Sequence, residues 1–206
     1  MGARDLVSNR FEVAKNTSID FVNSLPVGTN VGVVSFAENS VLEQDLTSSK
    51  SDLINAIKNI HLTSVGGTDV FEVISLSHFI LKSEQNRAII LLSDGQVNIG
   101  NFNSSMDNAV KDHIIVYTFG LGTITGGKTD LGISVIDENS LKSIAERTGG
   151  KYFKVNSHGE MKDAFNSIIK ISDRPVKISL GIFLLIGAIL VFILREFVFY
   201  LNRIAI

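Results

Sequence analysis

Apolar positions up to Ile171 follow two rhythms, one recurring every three to four residues and one of short unbroken runs, and their alternation predicts helices interleaved with buried strands. Phe11, Ala14, Ser18, Phe21, Val22 and Leu25 recur at helical spacing. Asn9 with Glu12 forms a start cap, and Pro26-Val27-Gly28 stops this first helix. Val31 to Phe36 is a β-branched run apolar on both faces, the pattern of a strand covered by helices on both sides. Ser40 to Leu46 alternates and is expected to pair with it as a more exposed strand. Leu53, Ile54, Ile57 and Ile60 mark a second helix capped by Ser51 or Asp52. After a Gly66-Gly67 loop, Val70 to Lys82 reads as a third helix, and Arg87 to Leu92 as a strand running into Ser93-Asp94-Gly95. A helix around Ser105 to Asp112, a strand at Ile114 to Phe119 and a flexible segment from Gly120 to Gly132 follow. A helix capped by Asp137 and closed by Gly149, a strand at Tyr152 to Val155 and a last helix marked by Met161, Ala164, Phe165, Ile168 and Ile169 complete the pattern.

Strands that are apolar throughout and alternate with helices predict an α/β fold, a doubly wound, mostly parallel open sheet with helices on both faces. In such sheets ligands sit outside the carboxyl ends of the strands, which singles out the loops at Gly66 to Asp69, Ser93 to Asn98 and Gly120 to Gly132.

The rhythm changes at Ile178. From there to Leu194 the chain is apolar all round, covering roughly 26 Å of a ~30 Å hydrocarbon core. A buried core helix would keep a polar face, so a transmembrane helix is expected at 178–194, or 176–194 if Val176 joins it. The expected organisation is a domain over 1–172, a juxtamembrane linker at 173–177, the span, and a short tail at 195–206. Lys162, Lys170, Arg174 and Lys177 before the span outnumber Arg195 and Arg203 after it, which leans the domain toward the cytoplasmic side.

With 206 residues the chain has room for one well-cored domain and an anchor. A formal charge of −2 and no long Lys/Arg cluster argue against nucleic-acid binding. The absence of cysteine excludes disulfides, iron–sulfur clusters and thiol catalysis. His61, His78, His113 and His158 lack zinc-ligand spacing. Gly120-Leu121-Gly122 begins like a dinucleotide loop, but Thr125 stands where the third glycine belongs. Taken alone, Asp94-Gly95 fits an ordinary turn with an Asx-type hydrogen bond.

The Gly66-Gly67-Thr68-Asp69 loop, Leu91-Leu92-Ser93-Asp94-Gly95, NRFEVAK, VGVVSF and ENSLKSIAERTGGKYFKV together resemble the von Willebrand factor A family. They look most like its membrane-anchored bacterial and archaeal aerotolerance (Bat-type) members, and the resemblance covers nearly all of Ser8 to Ile171. It implies a divalent-cation site built from an Asp-x-Ser-x-Ser sequence, a threonine and an aspartate. Thr68 and Asp94 match the last two as ligands of Mg²⁺ or Mn²⁺. Asp69 would stand behind Thr68 or, the favoured reading, cap the helix at Val70.

No Asp-x-Ser-x-Ser occurs in this chain, nor the strand that precedes it in the family. The resemblance therefore implies truncation before Met1, with a divergent form or completion by another polypeptide as alternatives. It places the missing strand between Val31–Phe36 and Arg87–Leu92, leaving two strand edges open. It also implies weak or absent metal binding, because most oxygen ligands are lacking.

The function implied is a non-enzymatic, membrane-anchored protein-interaction module. Its partner in full-length relatives would be held through a metal-bridged acidic residue, and a MoxR-type AAA+ ATPase is a candidate. A metal-dependent hydrolase or phosphatase using Asp94 and a non-functional remnant are the alternatives. The hydrolase would need a general acid and a phosphate-binding group that Thr68, Ser93, Asn98 and Asn101 do not supply.

Overall fold

The computed structural model describes residues 2–3, 9–37, 39–62, 69–84, 86–94, 102–123, 126–129 and 132–172. The chain divides into two compact units, Met1–Ile169 and Lys170–Ile206; of the second, 170–172 are described. The span expected at 178–194 lies outside the described residues. Among those described, no helix is long and apolar enough to cross a membrane.

The described residues form six α-helices, a short 3₁₀ helix at Leu81–Ser83 and seven strands. The helices are α1 (Arg10–Ser24), α2 (Lys50–Asn59), α3 (Val70–Ile80), α4 (Phe102–Lys111), α5 (Glu138–Arg147) and α6 (His158–Ser172). The strands are β1 (Val31–Phe36), β2 (Ser40–Thr47), β3 (Ala88–Ser93), β4 (Ile115–Leu121), β5 (Gly127–Thr129), β6 (Gly132–Ser134) and β7 (Tyr152–Val155). β3, β4 and β7 form a parallel sheet in that order, with Ser93 opposite Gly120 and Leu121 opposite Val155. β1 and β2 form a separate antiparallel ribbon, irregular between Val31 and Val34.

The period-2 geometry of β3 explains its continuous apolar run. Ile89 and Leu91 turn to one face, where Val70, Ile74, Met106, Leu141 and Ile144 of α3, α4 and α5 cover them. Ile90 and Leu92 turn to the other face, against a cluster built from α1 and α6. Phe165 of α6 centres that second layer, stacking on Phe21 at 4.4 Å and meeting Phe119 at 4.6 Å between ring centroids. Each such pair adds about 0.5–1.5 kcal/mol beyond its buried area. Helices therefore cover both faces of a parallel sheet, the expected α/β architecture.

β1 departs from the fully covered strand expected of VGVVSF, since all six positions are only half-buried. It pairs with β2 along one edge, and no sheet among the described residues joins its other edge to β3. Lysines fasten the helices beside it: Lys15 donates to Lys58 and Ile60 carbonyls at the end of α2, while Lys50 donates to Asn23 and Leu25 carbonyls at the end of α1. Each cation meets the negative end of the other helix.

Several boundaries and one helix face differ from the sequence expectation. The buried stripe of α1 is Arg10, Val13, Ala14 and Thr17, continuing to Val22, rather than one running through Phe11 and Ser18. Two polar residues complete it because both are satisfied there; Thr17 donates to the Val13 carbonyl at 2.8 Å. The second helix starts two or three residues earlier, with Ser49 at the cap position in place of Ser51 or Asp52, and α4 starts at Phe102 rather than near Ser105. The segment read as flexible, Gly120 to Gly132, carries the β5–β6 hairpin across its end. Asn9, Asp69 and Asp137 cap α1, α3 and α5 as expected, each accepting from backbone N–H groups of the first turn.

Candidate functional site

The carboxyl end of the parallel sheet gathers residues from elements far apart in sequence. β3 delivers Asp94 directly after Ser93, and the Asp94 residue is 6% exposed. β4 delivers Gly122 just past Leu121, β6 ends on Ser134, and α1 begins there with Arg10. Arg10 is fully buried. Its Nη1 lies 3.3 Å from Asp94 Oδ2 and donates at 3.1 Å to Ser134 Oγ, while Nη2 donates at 2.8 Å to the Ser134 carbonyl. The shortest of these is charge-assisted geometry; the ion pair itself is longer than usual.

Local backbone chemistry makes room for this arrangement. Gly122 has φ +132°, and a Cβ there would sit 2.4 Å from Arg10 Cζ and 2.5 Å from Nε. Any side chain at this position would collide with the guanidinium. The Asp94 carbonyl accepts from Asp137 N–H at 2.9 Å, and Asp137 in turn caps α5 through Ser140. Arg10, Asp94 and the start of α5 are thus tied through consecutive hydrogen bonds.

Of the residues expected to hold a cation, Asp94 is placed at this end and Thr68 lies outside the described residues. Asp69 accepts from Phe71 N–H and Glu72 N–H at 2.9 Å each, the helix-cap role, and its own N–H donates to the Ala37 carbonyl just beyond β1. Asp94 does not form a simple Asx turn alone: its carboxylate is engaged by Arg10 from another element. Mg²⁺ requires about six oxygen ligands in octahedral array. The described residues supply one carboxylate already facing a cation, and among them no three His, Cys, Asp or Glu side chains are grouped to hold a metal ion. By themselves the described residues do not make up the oxygen set of a divalent ion.

Three further charged or titratable clusters stand out among the described residues. Lys154 and Lys142, at 2.7 and 3.0 Å, hold the Glu138 carboxyl below its ordinary value. Burial, then the neighbouring Glu138 charge, pushes the Tyr152 hydroxyl up to about 12, so it stays protonated at neutral pH. His78 faces Asp112 at 2.5 Å and, mainly by hydrogen bonding, lowers that carboxyl. A groove lined by Val22, Leu25, Pro26, Val27 and Leu53 lies at the opposite end of α1 from Arg10.

Arg10, Gly122 and Ser134 carried no functional role in the sequence reading. A signal for Arg10 exists: a cation in the first turn of a helix opposes the helix dipole, so an arginine directly after an Asn cap calls for an acceptor elsewhere. Which acceptor it finds depends on the fold, since Asp94 and Ser134 are 84 and 124 positions away.

Comparison with known proteins bears on this geometry. The von Willebrand factor type A domain family matches residues 1–96. A UPF0353 protein of Nocardia farcinica is 26% identical over 197 residues, covering 82% of this chain and 58% of that protein. The solved aerotolerance-related membrane protein of Bacteroides fragilis, carrying multiple mutations to serine, superposes with a TM-score of 0.73 at 22% identity, over 82% of this chain and 92% of that one. BatB of Bacteroides thetaiotaomicron superposes at 0.72 with 24% identity, over 84% and 94%. These likenesses establish the fold. The chain spans a little under three fifths of the length of the curated relatives it matches.

Proposed function

We propose that the chain, similar to von Willebrand factor type A domains over residues 1–96 and in fold to the solved aerotolerance-related and BatB proteins, works as a non-enzymatic protein-interaction module at a membrane. One observation carries the reading: Asp94 stands at the carboxyl end of the parallel sheet, where α/β folds place their ligand-binding loops, gathered with residues of three other elements. A neighbour described as a membrane protein, together with the apolar run at 178–194, supports attachment by a C-terminal span. The charge balance around that run supports a cytoplasmic domain.

Thr68 and Asp94 are the proposed ligands of Mg²⁺ or Mn²⁺, held weakly, since no Asp-x-Ser-x-Ser sequence is present to add further oxygens. A MoxR-type AAA+ ATPase is the proposed partner. The test is to measure binding of the purified full chain, in detergent, to the MoxR-type ATPase of the same organism with Mg²⁺ and with EDTA, alongside turnover of a phosphomonoester. Saturable binding without turnover supports the module. Turnover abolished by Asp94→Asn would replace it with a hydrolase, and no binding in either buffer would remove the ATPase from the proposal.

A further inference from the structure

Full burial of an arginine at the positive end of a helix is electrostatically costly twice over, once for desolvation and once for the dipole. The fold meets that cost with a built receptacle. Asp94 supplies the countercharge, Ser134 accepts through both its hydroxyl and its carbonyl, and Gly122 gives up the space that a Cβ would take. Such a receptacle spread over α1, β3, β6 and the turn after β4 is more than a surface charge folded inward.

We infer that Arg10 is a resident cation for the Asp94 carboxylate, competing with divalent ions for that carboxylate and holding the chain's affinity for them down. A metal ion bonded to Asp94 Oδ2 at ~2.0–2.1 Å would lie within about 5.5 Å of Arg10 Nη1. Like charges that close, in a buried setting, repel strongly. The guanidinium therefore opposes metal entry, and Ser134 holds it in place through two hydrogen bonds while Gly122 leaves it room. The inference concerns the charge at Asp94 and does not depend on which protein the domain binds.

The experiment is a Mn²⁺ titration of the full chain in detergent micelles, following free Mn²⁺ by electron paramagnetic resonance, with circular dichroism confirming the fold of each variant. The wild-type chain is expected to bind no tighter than millimolar. Arg10→Gln, which keeps hydrogen bonding and removes the charge, is expected to bind at least about tenfold tighter, the scale on which outer partners tune metal sites. That gain should vanish in Arg10→Gln/Asp94→Asn. If Arg10→Gln does not fold, Ser134→Ala takes its place, removing one of the guanidinium's acceptors, with a smaller gain expected. Unchanged or weaker binding in the folded variant overturns the inference. So does micromolar binding by the wild-type chain that Asp94→Asn abolishes, an outcome that needs no Arg10 variant.

Discussion

Replacing Asp94 with Asn takes from the buried Arg10 guanidinium the carboxylate charge 3.3 Å from Nη1, and the size of the penalty follows from how deeply the pair sits. The two side chains are 0% and 9% exposed, so water cannot take over the lost interaction. Breaking a buried pair from one side typically costs about 3–5 kcal/mol, and the Ser134 bonds place this variant toward the lower part of that range. At roughly 2–4 °C per kcal/mol for a domain of this size, the melting temperature should fall by about 6–20 °C. Arg10→Met takes the guanidinium away from the buried carboxylate and should cost a similar amount. Arg10→Met/Asp94→Asn removes both charges, retains apolar volume, and should be more stable than the sum of the single effects by about 1.5–3 kcal/mol. Urea unfolding followed by circular dichroism at pH 7 measures all four corners of the cycle, with equal m-values required for the comparison. Additive single effects, or an Asp94→Asn cost within about 0.5 kcal/mol, would refute the claim that the two charges depend on each other.

Two further outcomes are expected. Gly150→Ala should destabilise by about 1–3 kcal/mol or more, because its Cβ would fall 2.1 Å from the Val116 carbonyl oxygen, whereas Gly149→Ala, in open space at φ +74°, should cost only the left-handed backbone penalty of about 1 kcal/mol; thermal melts that reverse this order contradict the packing of α5 on β4. Glu138 has a lowered carboxyl pKa in the fold, so its contribution is fully present above the ordinary value of 4.5 and is lost as pH falls through the lowered one. The stability gap between wild type and Glu138→Gln, on the order of 0.2–1 kcal/mol for so exposed a pair of lysines, should close on acidification, and a gap unchanged down to about pH 2 would exclude the clamp.

Elements governed by local chemistry were legible in the chain. Asn9, Asp69 and Asp137 announce helix starts because an acceptor side chain and free N–H groups are neighbours in sequence. The strands at Val31, Ala88 and Ile115 were legible because each is a short, nearly unbroken run of β-branched and other apolar residues, although the burial on both faces that such a run implies is not reached in β1. The rotation of α1 was not, since periodicity counts Arg10 and Thr17 as polar while the fold buries both with partners supplied from elsewhere or from their own helix turn. The β5–β6 hairpin was hidden by glycines that signal turns as readily as strands. Asp94 was found from its place after a buried strand, whereas its partner required knowing that the start of α1 returns to that strand's end.

The division of the strands between a ribbon and a parallel sheet also shapes how the native molecule opens. Among the described residues every ladder bond of β1 is made to β2, and those of β3, β4 and β7 stay among themselves. The ribbon is attached through helix packing and single bonds such as Asp69 N–H to the Ala37 carbonyl. Half-buried along its whole length, it can detach as a cooperative subunit of its own while the sheet keeps all of its backbone bonds. Amides of β1 and β2 should therefore exchange with solvent through a sub-global opening, ahead of the global unfolding that releases β4.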